Sequence, residues 1–120
     1  MKKILVIEDN DMNRDLLVQI LEEDYAILEA EDAQQGLDMS RDERPDLILT
    51  DISLPGMDGL ELVSHIRQTD LLRDIPVIAV TAHAMTGDRE RTLDAGCDAY
   101  ISKPIDEELL LDKIDELIGA

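Results

Sequence analysis

Phenylalanine and tryptophan are absent from this 120-residue chain, and Tyr25 and Tyr100 are its only tyrosines. A platform of stacked rings for nucleic-acid bases is thereby excluded, and the core must be built from Leu, Ile, Val, Ala and Met. Cations are scarce, with 11 Lys and Arg against 29 Asp and Glu and a formal net charge of −18. Such a surface repels phosphate backbones and anionic lipid, so no nucleic-acid partner is expected. The acidity by itself describes a solvated surface and places no site. A single cysteine, Cys97, allows no internal disulfide and no zinc-ligand spacing, in keeping with a reducing compartment. Long apolar runs are missing too. The first, Ile4–Ile7, is cut off by Glu8-Asp9 and is too short for a signal peptide or a membrane span. The chain therefore reads as cytoplasmic, with no membrane insertion. Without an internal repeat, low-complexity tract or linker, and with 44% hydrophobic residues, it reads as one domain over residues 1–120.

Four short apolar runs each end in a functional group. Ile4-Leu5-Val6-Ile7 leads into Glu8-Asp9, Leu47-Ile48-Leu49-Thr50 into Asp51, Val77-Ile78-Ala79-Val80 into Thr81, and Ala99-Tyr100-Ile101-Ser102 into Lys103-Pro104. Runs of this kind read as strands buried on both faces, and ligand chemistry in open parallel sheets collects beyond their carboxyl ends.

Segments of helical period alternate with the strands. Lys3–Ile7 is followed by a helix over Met12–Glu22, with Leu16, Leu17, Ile20 and Leu21 on one face and Asn10 or Asp11 as cap. Strands are expected at Tyr25–Glu29, Asp46–Thr50, from Pro76, and at Asp98–Ile101. Helices are expected at Ala33–Arg41 (capped by Asp32), Leu60–Arg67, Thr86–Ala95 (stopped by Gly96) and Glu107–Ile118. In the last helix Leu110, Ile114, Leu117 and Ile118 form a core stripe, whereas Leu109 projects away from it and Ile105 precedes it. Five such βα pairs imply an α/β, flavodoxin-like (βα)5 doubly wound parallel sheet in strand order 2-1-3-4-5. Its switch point lies between the first and third strands, where Asp9 and Asp51 would sit.

Glu8, Asp9 and Asp51, brought together, repel one another unless a cation neutralises them. Mg2+ suits such a site, since it prefers oxygen ligands, retains waters and is usually held by one or two carboxylates. Asp9 and Asp51 would ligate directly and Glu8 through a water. Taken singly each group has a plainer role: the acids as helix caps, Thr81 as a strand-end hydroxyl, Lys103 as a solvated lysine. Yet Asn10 and Asp11 already serve the first helix, and Asp51 precedes a loop. A phosphoryl group on Asp51 would need the Lys103 ammonium and the Thr81 hydroxyl on its oxygens, and Mg2+ to offset the rest of its charge.

Together Glu8-Asp9, the stretch Pro45–Asp51, Leu54-Pro55-Gly56-Met57-Asp58-Gly59, Thr81-Ala82 and Lys103-Pro104 resemble the receiver domain of two-component response regulators of the CheY-like type. The resemblance spans essentially the whole chain. It implies that Asp51 takes phosphate from a phosphohistidine of a sensor histidine kinase or histidine phosphotransfer protein. It further implies Mg2+ at Glu8, Asp9, Asp51 and the main-chain carbonyl of Ser53, a phosphoryl-binding lysine at Lys103 followed by a cis proline, and switch residues at Thr81 and Tyr100. Glu8 stands where many members have Asp, which preserves an outer role. His83 is at a variable position that tunes access to the phosphoryl group, unless it is merely a solvent-facing histidine.

The expected function is a phosphorylation-dependent signalling switch that alters binding to a downstream protein. With the chain ending at Ala120 after the fifth helix, no output domain is expected. It is not an enzyme acting on an external substrate, since loss of phosphate from Asp51 would be self-dephosphorylation. The partner surface is expected on the side of the fourth and fifth helices, at Ala84, Leu93, Ser102, Ile105, Leu109 and Lys113. Two other classes fit less well. A phosphohydrolase of haloacid-dehalogenase type places a second Asp two residues after its nucleophile, where this chain has Ser53. A flavodoxin needs a Ser-, Thr- or Gly-rich phosphate loop after its first strand, where this chain has Glu8-Asp9-Asn10-Asp11.

Overall fold

The structure, a computed structural model, describes residues 1–52, 59–81 and 88–119. Strands and helices alternate: β1 (Lys3–Ile7), α1 (Asp11–Leu21), β2 (Ala26–Ala30), α2 (Ala33–Glu43), β3 (Leu47–Asp51), α3 (Gly59–Gln68), β4 (Val77–Thr81), α4 (Asp88–Asp94), β5 (Ala99–Ser102) and α5 (Glu107–Ile118). All strand pairs are parallel and the sheet order is β2-β1-β3-β4-β5. This is the expected flavodoxin-like arrangement, with the order reversing between β1 and β3.

Alternation along each strand divides the core in two. Leu5, Ile7, Ile48 and Ala79 face Ala33 and Leu37 of α2 and Leu62, Val63 and Ile66 of α3. Ile4, Val6, Leu47, Leu49, Ile78, Val80 and Ile101 face Leu17 and Leu21 of α1 and Leu110 and Ile114 of α5. The central strands β1, β3 and β4 are therefore covered on both sides and read as continuous apolar runs. Gly36 lets α2 press directly on β1, because a Cβ there would collide with Cδ1 of Ile7.

Helix starts follow the capping side chains. Asn10 accepts from the Asn13 N–H, Asp32 from Gln35 and Asp106 from Leu109. Past α4 the chain turns at Gly96, whose φ of 114° lies in the left-handed region, as its placement after the helix predicts.

Element bounds shift from the expected ones by up to two residues. α1 differs more substantively: its buried face is Arg14, Leu17 and Leu21, and Leu16 is 50% exposed. At ~100° per residue, Leu16 lies about 140° round the helix from Leu21 and cannot share its face. Ile105, expected as a surface residue, is half-buried and packs on the core shared by α1 and α5. Among the described residues no helix is long and apolar enough to cross a membrane.

Candidate functional site

The parallel register brings the carboxyl ends of β1, β3, β4 and β5 together. Thr50 and Asp51 of β3 pair with Ala79 and Val80 of β4, and Thr81 of β4 pairs with Ser102 of β5. The Lys103 N–H then donates to the Thr81 carbonyl at 2.7 Å, and the following Lys103–Pro104 peptide is cis. Lys103 follows β5 at the same end of the sheet as Glu8, Asp9 and Asp51.

Its ammonium joins them. Nζ of Lys103 donates to Oε1 of Glu8 at 2.8 Å and to Oδ2 of Asp51 at 3.0 Å. Glu8, Asp51 and Thr81 are buried, whereas Asp9 is exposed at the mouth. Glu8, Asp9 and Asp51 each offer a carboxylate oxygen lying within 4.8 Å of the other two.

Electrostatics in this pocket are unbalanced. Burial pushes the Glu8 carboxyl up from its ordinary value, and the neighbouring Asp51 adds to that, while the bond from Lys103 opposes it. Burial alone would lower the Lys103 ammonium, but its bonds to Glu8 and Asp51 outweigh this and its pKa is raised. Among the described residues Oε2 of Glu8 is buried without a hydrogen-bond partner, an arrangement a protein interior rarely tolerates. Among the described residues, three converging carboxylates, one with an orphaned oxygen, and one lysine fit a hard divalent cation with oxygen ligands.

Of the expected site residues, Glu8, Asp9, Asp51, Thr81 and Lys103 are brought together. Ser53 and His83 lie outside the described residues. Tyr100 is half-buried on β5, opposite Ala79 in the β4 register. It lines a cavity of about 430 Å3 together with Leu93, Asp98, Ala99 and Lys113. Leu93 and Leu109 are exposed large aliphatics on α4 and α5. Ser102 is exposed, and half-buried Lys113 pairs with Glu116 at 3.6 Å. Ala84 lies outside the described residues.

Arg14 is a residue that periodicity misses. Nη1 of this buried arginine donates to the Glu8 carbonyl at 2.8 Å, and its other nitrogens engage Asp11 and Glu29. The apolar spacing of α1 carries no signal for it, because that spacing reads only the aliphatic residues.

A family model described as the response regulator receiver domain matches residues 4–115. The chain is 44% identical over 119 residues to the polar-differentiation response regulator DivK of Brucella anthropi, covering 98% of this chain and 97% of that protein. It is also similar to the receiver domain of sensor histidine kinase PA1611 from Pseudomonas aeruginosa, with 34% identity, a TM-score of 0.91, and coverage of 99% of this chain and 98% of that one. That neighbour is described with a magnesium ion coordinated in its active site cleft. A third relative is the signal receiver domain of a histidine kinase from Syntrophus aciditrophicus, 32% identical at a TM-score of 0.91, covering 99% of this chain and 91% of that one.

Proposed function

This chain belongs to the response regulator receiver family, and from that premise we propose that it is a phosphorylation-dependent switch with Asp51 as phosphoacceptor. One observation carries the reading: Lys103 bridges Asp51 and Glu8 at 3.0 and 2.8 Å, tying the nucleophilic carboxylate to a cation and to the acidic pair.

The donor is a phosphohistidine on a sensor histidine kinase or a histidine phosphotransfer protein. A carboxylate oxygen of Asp51 attacks phosphorus, the P–N bond to the donor imidazole breaks, and that imidazole leaves with a proton from solvent. Lys103 then turns its ammonium to the new phosphoryl oxygens, and the Thr81 hydroxyl donates to another. Asp9 and Asp51 would hold Mg2+ directly, Glu8 would hold it through a water, and the carbonyl of Ser53 would be the remaining protein ligand. When bound, Mg2+ offsets the negative charge that accumulates on the transferring group. The later loss of phosphate is hydrolysis of the protein's own acyl phosphate, with no external substrate turned over.

The modified state is read by other proteins. Thr81, drawn toward the phosphoryl group, vacates space into which Tyr100 turns, so two existing arrangements change in population. The cavity beside Tyr100 and the exposed Leu93 and Leu109 support a docking surface on the side of α4, β5 and α5. Ala84, Ser102 and Lys113 complete it. With a net charge of −18 the chain does not act through nucleic acid, and it works in the cytoplasm without inserting into a membrane. Incubation with a phosphorylated histidine kinase and Mg2+ tests the assignment: the chain acquires hydroxylamine-sensitive label and Asp51→Asn does not. Full labelling of that variant would remove Asp51 from its role.

A further inference from the structure

Arg14 sits in the first turns of α1 with its side chain only 10% exposed. Its guanidinium donates from Nη1 to the Glu8 carbonyl at 2.8 Å, from Nη2 to Asp11 at 2.5 Å, and from Nε to Glu29 at 3.3 Å, with Glu31 3.7 Å from Nη2. Three carboxylates already surround this one cation, so little of its charge remains to act on the acidic pocket. Its contact with that pocket is through the backbone instead.

The Glu8 carbonyl and the Asp9 N–H belong to one peptide plane. That plane is preceded by the Glu8 N–H, bonded to the Ala30 carbonyl at 3.0 Å, and its own carbonyl is gripped by Arg14. On the far side of Asp9, Asn10 is fixed as the cap of α1 by the Asn13 N–H at 3.0 Å, and its carbonyl accepts the Arg14 N–H at 2.9 Å. Asp9 is therefore held from both sides by bonds to its neighbours, and Arg14 supplies one on each side. Among the described residues the Asp9 carboxylate itself has no side-chain partner that could orient it. The backbone sets where the Asp9 side chain starts, and Arg14 is the side chain that holds that backbone on the Glu8 side.

We propose that Arg14 is a positioning residue that fixes Asp9 for Mg2+ and makes the acidic pocket discriminate Mg2+ from Ca2+. The inference rests on the reading of Glu8, Asp9 and Asp51 as a cation site. Mg2+ demands near-octahedral ligands at short distance, whereas Ca2+ accepts irregular geometry and variable ligand number. Loosening Asp9 without removing its charge thus weakens the demanding ion more than the tolerant one. Lysine keeps the charge of Arg14 but loses the planar fork that spans the Glu8 carbonyl, Asp11 and Glu29.

The test is calorimetric titration of the purified chain with Mg2+ and, separately, Ca2+, for the native sequence, Arg14→Lys, Glu29→Gln and Asp9→Asn, with circular dichroism to follow folding. Arg14→Lys is expected to lose about tenfold in Mg2+ affinity, the lower end of what removing an outer support costs, with Ca2+ affinity changed by less than about threefold. Glu29→Gln, altering a side chain that is 47% exposed, is expected to move the Mg2+ to Ca2+ ratio the same way by a smaller factor. It decides the matter if Arg14→Lys does not fold. Parallel loss of both ions, or an unchanged ratio in the folded variants, would overturn the proposal. A native chain that does not bind Mg2+, or binds it as well after Asp9→Asn, would instead overturn the reading of the site.

Discussion

Lys103 and Glu8 are 95 residues apart in sequence, yet Nζ of one donates to Oε1 of the other at 2.8 Å, and the glutamate side chain is only 2% exposed. The pair closes the carboxyl end of the sheet from β5 across to β1, with Asp51 accepting from the same ammonium.

Removing the lysine head therefore leaves two buried carboxylates facing each other. Lys103→Met is expected to destabilise the metal-free protein at neutral pH by about 3 kcal/mol, as when one partner of a buried pair is deleted. The loss shrinks in acid, where Glu8 takes up a proton. Urea unfolding followed by circular dichroism measures it, and equal stability of the two proteins at neutral pH would mean that the bridge contributes nothing.

Glu8 also gives the pH dependence a definite sign. Its folded pKa is raised above the unfolded value, chiefly by burial and then by Asp51. Its contribution to stability is therefore present below the ordinary carboxylate range of about 4.3 and is lost as pH rises through the folded pKa. In metal-free buffer the native protein should lose stability relative to Glu8→Gln on going from acid to neutrality, and Mg2+ should reduce the difference. The comparison cancels the general repulsion of the 29 acids, which both proteins share but for one. A difference that does not vary with pH would contradict this.

Cys97 is buried and its thiol is pushed up to about 12 by that burial, with Asp98 adding to the effect and Arg67 opposing it. The thiolate is the reactive form, so at pH 8 iodoacetamide should modify the folded protein far more slowly than the protein in guanidinium chloride. Similar rates in both would show that Cys97 is reached without unfolding.

Phosphoryl mimicry tests the readout. Beryllofluoride with Mg2+ is expected to shift amide resonances at Thr81 and Tyr100 and in α4, beyond the loops around Asp9 and Asp51. Shifts confined to those loops, with Tyr100 and α4 silent, would break the coupling while leaving the phosphoacceptor in place.

Much of this was legible before the structure because buried parallel strands announce themselves. Ile4–Ile7, Leu47–Leu49 and Val77–Val80 have no polar residue on either face, and each is followed by a group that needs a partner. Side-chain pairing was less legible. Nothing in the sequence around Lys103 says that it bridges Glu8 as well as Asp51, since that depends on the register of β4 against β5. Leu16 was expected inward and Arg14 was not read at all, for a related reason. Apolar spacing treats leucine as inward and passes over arginine, whereas the Glu8 carbonyl after β1 and Glu29 of β2 draw the guanidinium in. Expectations at Ser53, His83 and Ala84 fall outside the described residues and remain proposals.

The central claim is that phosphate passes to one particular carboxylate, and the most direct measurement is to locate it. The chain is phosphorylated from a phosphohistidine donor with Mg2+, the acyl phosphate is reduced with borohydride, and the modified residue is identified by peptide mass spectrometry. Reduction should mark Asp51 alone, and chelation of Mg2+ should remove the mark. Modification at Glu8 or Asp9, or a phosphorylated His65 or His83 with Asp51 untouched, would contradict the account.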